Sequence, residues 1–119
     1  MEYVKIEDRT FEFSLLIIGV YKFLINKQEY IMAKQLLRCG TSIGANVAEA
    51  QAAQSKRDFI AKMSIASKEA RETKYWLRLL QRSNYLENSE SHNELLEEID
   101  NIINIITKIV KTSQENINK

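Results

Sequence analysis

The sequence predicts an all-α fold, an antiparallel up-down-up-down four-helix bundle that assembles into a homo-oligomer, and three observations predict it. The 119 residues include no Pro and only three Gly, so the residues that punctuate strands and tight turns are scarce and long helices are favoured. Hydrophobic residues make up 45% of the chain, and they recur at the three- and four-residue spacing of helices with one buried stripe. The first helical segment is instead apolar around nearly its whole circumference, which one bundle core cannot cover.

The length fits one domain over residues 1–119 with one hydrophobic core, and a charged fraction of 28% is that of a globular chain rather than a disordered one. A net charge of +1 creates no overall field for nucleic acid or an anionic membrane, so any such binding has to come from local clustering. The one cysteine, Cys39, has no internal disulfide partner. Together with the lack of a basic-then-apolar leader this points to a reducing cytoplasm. Apolar runs such as Leu15-Leu16-Ile17-Ile18 are far shorter than the roughly 18 residues a membrane span needs, so no membrane partner is expected.

Helix 1 is predicted over about residues 9–25, with Asp8 or Thr10 to cap it and residues 26–29 as the turn. Helix 2 is predicted over about 30–54. Ser55 with Asp58 three residues later forms a capping box that opens helix 3, over about 56–83. Residues 84–91 read as the longest loop, and Ser91 with Glu94 supplies a second capping box for helix 4, over about 92–112, beyond which the tail is expected to fray. Helix 4 has the plainest pattern: Leu95, Leu96, Ile99, Ile102, Ile103, Ile106, Ile109 and Val110 form one stripe, with Glu97, Asn101, Asn104, Lys108 and Lys111 opposite. Short connections make successive helices antiparallel neighbours.

Three helices carry further information. On helix 1, Phe13, Leu16, Ile17, Val20 and Leu24 share one face, while Phe11, Leu15, Ile18 and Ile25 fall roughly opposite and are the candidate oligomer interface. The competing reading makes helix 1 the centre of its own subunit. On helix 2, Gly40, Gly44, Ala48 and Ala52 recur every four residues, a ridge of small side chains that lets another helix approach closely. A phosphate cradle at Gly40–Gly44 lacks the strand, loop and lysine that a P-loop requires. On helix 3, Arg71, Arg78 and Arg82 lie within about 40° of one another in projection, flanked by Lys56, Lys68 and Lys74. The core face of this helix is Phe59, Met63, Ala66, Ala70, Leu77 and Leu80. A basic stripe with Tyr75 nearby suits a phosphate backbone, RNA or DNA, bound in a salt-sensitive way. The alternative is a solvated face, or one that pairs with another protein.

Catalytic and metal constellations are hard to assemble from this inventory. With His92 the only histidine, the paired Glu-x-x-His motifs of di-iron bundles and most zinc or nucleophilic sites are excluded, so no metal and no cofactor are expected. Cys39 reads as a small core residue. Glu49, Glu69 and Glu72 are near enough on helices 2 and 3 to meet as an acid–base cluster, or to pair with Arg38, Arg71 or lysines. The expectation is a protein that is not an enzyme.

The run from Gly40 to Ala50, followed by Ser55-Lys56-Arg57-Asp58-Phe59 and by Ala66 to Thr73, resembles the four-helix-bundle proteins encoded in intervening sequences of bacterial 23S ribosomal RNA genes. Arg38, Ser42-Ile43, Asn46, Ala48-Glu49, Phe59 and Glu72 carry the pattern as a set. The resemblance implies an up-down bundle, a ring-like homo-oligomer with a pentamer as precedent, and a nucleic-acid role. Related pentameric accessory proteins of diversity-generating retroelements bind a reverse transcriptase and nucleic acid. The resulting expectation is a homo-oligomeric binding protein that contacts RNA or DNA through helix 3, with a protein scaffold that never touches nucleic acid as the alternative.

Overall fold

The computed structural model describes residues 4–86 and 90–117. They hold four α-helices and no strand: α1 Ile6–Asn26, α2 Ile31–Gln51, α3 Lys56–Arg82 and α4 Glu90–Ile117. No helix among them is long and apolar enough to cross a membrane. The side chains of Glu90 and Ser91 lie outside the described residues, and with them the expected Ser91–Glu94 box; α4 already begins ahead of Ser91.

Each boundary has a local cause. Neither Asp8 nor Thr10 caps α1, which starts earlier than expected, after Lys5 in an extended conformation without a side-chain cap. Asp8 and Glu7 instead occupy the first turn, where a carboxylate faces the positive end of the helix dipole. Thr10 is buried inside the helix, and its hydroxyl donates to the Ile6 carbonyl at 2.8 Å. In the next turn Gln28 takes a left-handed φ of 64°, and Glu29 caps α2 by accepting from the Met32 N–H at 3.0 Å.

Between α2 and α3 the capping box forms as its spacing predicts. Ser55 Oγ accepts from the Asp58 N–H at 3.0 Å, and Asp58 accepts in turn from the Gln54 N–H at 3.3 Å. Drawing 52–55 into this turn ends α2 at Gln51, three residues short of the expected end. After α3, Asn84 is left-handed at φ 68° and the N–H groups of Tyr85 and Leu86 both donate to the Leu80 carbonyl. At its far end α4 runs to Ile117 instead of fraying after Thr112, and Ile117, half-buried, extends the apolar stripe by two turns beyond Val110.

All four helices turn their stripes onto a common core. Ile17 and Leu24 of α1, Leu36, Ile43 and Val47 of α2, Met63 and Leu80 of α3, and Ile99, Ile102 and Ile106 of α4 are fully buried. Each large aliphatic side chain buried this way contributes about 1.5–3 kcal/mol. The expected stripe of α4 is the observed one, with Leu96, Ile109 and Val110 at its half-buried edges. On α3 the expected core face is also observed, except that Phe59 is only partly buried.

The small residues of α2 let α1 come close. A Cβ on Gly40 would lie 2.8 Å from Ile17 Cγ2 and 2.9 Å from Cγ1, and one on Gly44 would lie 3.2 Å from the Thr10 carbonyl oxygen. The small-residue ridge ends there: Ala48 is exposed, and Ala52 is exposed beyond the end of α2. From Gly40 to Gly44 the contact on α1 moves from Ile17 to Thr10, so by Ala48 α1 has reached its first turn and little of it remains to meet.

On α1 the structure corrects the inward face. Phe13, Ile17 and Leu24 are buried, but Leu16 is 54% exposed, because it turns toward the gap between α1 and α4 rather than toward the core. On the opposite side Phe11 is 63% and Leu15 50% exposed. Ile18 is half-buried, and Ile25 is half-buried against the core.

Candidate nucleic-acid interface and apolar faces

The outer side of α3 follows from its inner side. Burying Met63, Ala66, Ala70, Thr73, Leu77 and Leu80 leaves Lys68, Arg71, Arg78 and Arg82 pointing to solvent, with Lys56 exposed at the N-terminal end. Among the described residues no carboxylate lies within ion-pair distance of these five cations. Lys74 differs: it is half-buried, and its Nζ pairs with Asp100 of α4 at 2.7 Å. Arg71 donates to Thr107 Oγ1, also on α4, at 3.3 Å. Tyr75 is exposed on this side, its ring edge-on to Trp76 at 5.3 Å between centroids.

The acids of α3 lie on its other flank and meet α2. Arg38 donates to Glu69 at 3.3 Å and also to Glu72, and Trp76 Nε1 donates to Glu72 at 3.1 Å. Burial pushes the Glu72 carboxyl up, but the hydrogen bonds from Trp76 and Arg38 outweigh it, so its pKa ends below the ordinary value. The Arg38 guanidinium is held above its ordinary pKa, chiefly by the bond to Glu72. Glu49 pairs with Lys62 at 3.3 Å. Of the two arrangements open to these carboxylates, pairing with bases is the one observed: Glu69 and Glu72 share Arg38, and Glu49 lies apart on Lys62. The partners are Arg38 and Lys62, not Arg71.

A contact with no signal in the sequence joins α1 to α4. Arg9 Nε and its terminal nitrogen donate to the two oxygens of Glu98 at 2.7 and 2.8 Å, across 89 positions of sequence. The Arg9 hydrogen bond holds Glu98 below the ordinary carboxylate pKa, against the opposing effect of burial. On either side of this pair the seam is open. One hollow of about 600 Å³ is lined by Leu16, Gly19, Val20, Phe23, His92 and Leu95, and a second of about 360 Å³ continues past Leu16 toward Val4 and Phe13. Half-buried His92 faces the Phe23 ring at 6.4 Å, and Lys27 Nζ sits 4.5 Å from the centroid of that ring.

Cys39 is fully buried, its thiol donating to the Leu36 carbonyl at 3.6 Å, and burial raises its pKa. It is a packing residue with the thiolate disfavoured. Among the described residues, no group of three or more His, Cys, Asp or Glu is arranged to hold a metal ion.

Comparison with known proteins gives a consistent picture. The family model described as 23S rRNA-intervening sequence protein matches residues 2–108. A crystal structure of a protein with unknown function from the S23 ribosomal protein family of Bacteroides thetaiotaomicron is similar at 45% identity, with a TM-score of 0.87. The match covers 90% of this chain and 99% of that one. No curated protein matches the sequence.

Proposed function

As a member of the family of 23S rRNA-intervening sequence proteins, this chain is one that we propose to be a non-enzymatic, antiparallel four-helix bundle that assembles with copies of itself, a pentamer by family resemblance, and binds RNA through the basic face of α3. The single observation that carries the RNA reading is the separation of charge on that helix. Lys68, Arg71, Arg78 and Arg82 are exposed with no carboxylate in ion-pair reach among the described residues, while Glu69 and Glu72 are turned away onto Arg38. Lys68 lies near enough to Glu72 to act on its carboxyl, but Arg71, Arg78 and Arg82 continue the row over three turns, and such a row of cations outside ion-pair reach of carboxylates matches a phosphate backbone and releases counterions on binding.

The antiparallel order is supported by paired contacts. Arg38 meets Glu69 and Glu72 where Glu49 meets Lys62, and Gln81 meets Asn93 where Lys74 meets Asp100 and Arg71 meets Thr107. Along each pair of helices one number rises as the other falls. Assembly is supported by the outward side chains of Phe11 and Leu15, since large exposed apolar groups side by side mark a contact surface. Placement in the cytoplasm goes with the unpaired thiol of Cys39.

The test is to change Arg71, Arg78 and Arg82 together to Glu. The expected result is loss of a salt-sensitive RNA complex with the native mass unaltered. Wild-type protein that fails to shift RNA at low salt removes the RNA reading. The apolar seam between α1 and α4, with Leu16 and Phe23 exposed in it, favours a second reading, a scaffold that recruits another protein. Capture from lysate with and without nuclease separates the two: a partner retained after nuclease belongs to the scaffold.

A further inference from the structure

The basic face is not confined to α3. Where α3 and α4 run side by side, a hollow of about 250 Å³ opens between them, and its rim carries Arg71 from α3 and Lys111 from α4. Hydroxyls line it from both helices, Ser64 and Ser67 on one and Thr107 on the other, with the Gln114 amide at one end. At Gln114 it adjoins a second hollow, of about 440 Å³, that brings in Arg57. Neither hollow is lined by an acidic residue.

Asp100 is engaged on Lys74, and Glu69 and Glu72 on Arg38, while Glu115, one turn beyond Lys111, is exposed and lines neither hollow. Among the described residues none is within ion-pair distance of Lys111 or Arg57. The bond from Arg71 to Thr107 Oγ1 fixes the guanidinium at the mouth of the hollow and leaves its other N–H groups for a ligand. A planar fork of donors, a point charge and hydroxyls lining one hollow are the groups that a tetrahedral oxyanion requires.

We infer that this α3–α4 cleft seats a backbone phosphate of an RNA strand, with Arg71 and Lys111 supplying charge and Ser64, Ser67 and Thr107 supplying hydrogen bonds. The inference rests on the RNA reading above and moves the centre of binding along the α3–α4 seam, away from Lys74, which Asp100 neutralises, toward the N-terminal half of α3, where Ser64 and Ser67 share the hollow with Lys111.

The test measures anisotropy of a labelled single-stranded RNA oligonucleotide with the full chain between 50 and 200 mM salt. Lys111→Ala is expected to make the slope of log affinity against log salt shallower by about 0.7 and to weaken binding about five-fold near 0.1 M salt. Ser64→Ala with Ser67→Ala is expected to weaken binding about five-fold with the slope unchanged, because neutral donors release no counterion. Lys108→Ala, exposed on α4 and outside the cleft, is the control and should bind as wild type does. All of these positions except half-buried Ser67 are exposed, and far-UV circular dichroism checks that each variant folds. Wild-type binding by Lys111→Ala, while Arg78→Glu with Arg82→Glu abolishes the complex, overturns the cleft and leaves the RNA reading in place. Equal weakening by Lys108→Ala also overturns the cleft, since general charge then explains the loss. Absence of RNA binding by wild-type protein overturns both.

Discussion

Replacing Gly40 by Ala inserts one methyl group between α2 and α1, with two effects of opposite sign. Within a helix the swap is favourable by about 1 kcal/mol. Against this, the new Cβ would lie 2.8 and 2.9 Å from two carbons of Ile17, closer than real Cβ contacts come. Ile17 is fully buried and β-branched, hence stiff at χ1, so it has little freedom to swing aside, and overpacking of this kind costs about 1–3 kcal/mol. The net expectation is a loss of about 1 kcal/mol, from the balance of overpacking against propensity.

Ile17→Ala removes the three atoms that the methyl would strike, and alone it costs about 2–5 kcal/mol. In that background the Gly40→Ala methyl has room, so the same substitution should turn stabilising by about 1 kcal/mol. A double-mutant cycle then yields a coupling of about 2 kcal/mol. The assay is urea unfolding at one low protein concentration, read from the midpoint at constant m-value. Gly19→Ala is the reference, because its Cβ meets nothing within 4 Å in its own subunit, and it should add about 1 kcal/mol to the stability of that subunit. If Gly40→Ala stabilises the wild-type background as Gly19→Ala does, or behaves alike with and without Ile17, the close approach of α1 and α2 is wrong.

Other outcomes follow from single contacts. Glu98 is more acidic folded than unfolded, so its pairing with Arg9 contributes stability that is complete above the unfolded pKa and fades as pH falls through the folded one; Glu98→Gln should flatten that part of a stability-against-pH curve, and an unchanged acid limb would refute it. Gln28 holds a left-handed φ of 64°, so Gln28→Gly should raise the unfolding midpoint, by about 1 kcal/mol at most once the entropy of glycine is set against the relief of strain. Ser55→Ala removes the acceptor of the Asp58 N–H and should lower stability by about 1 kcal/mol. Phe11→Glu with Leu15→Glu should reduce native mass to a single subunit, and an assembly that survives both changes does not use this face.

Legibility in the sequence followed periodicity. The stripe of α4 is observed as its spacing predicts, from Leu95 to Val110, because eight apolar residues at one period outweigh any local preference. The Ser55–Asp58 box is equally visible, since both partners sit within one turn. Helix starts without a side-chain cap were not visible: Lys5 offers no cap signal, and Thr10 resembles a cap but satisfies its hydroxyl on Ile6 one turn back. Leu16 lies within about 60° of Phe13 in projection, which predicts an inward side chain. Periodicity gives the direction of a side chain but not the width of the gap it faces, and here the α1–α4 gap is wide. The same limit applies to function. The row of arginines on α3 was legible, whereas Lys74 engaged by Asp100, and Lys111 arriving opposite Arg71, depend on how α3 and α4 are set against each other.

Trp76 is the only tryptophan in the chain, and its indole N–H is tied to the carboxylate that also receives Arg38. The protein thereby carries a built-in optical gauge of the α2–α3 seam. Emission excited selectively at the indole reports on that junction, shifting toward the red as water reaches the ring, with no added dye. Loosening elsewhere, such as at the open side between the first and last helices, would leave the signal still. One spectrum therefore distinguishes local parting of the outer helices from collapse of the whole bundle.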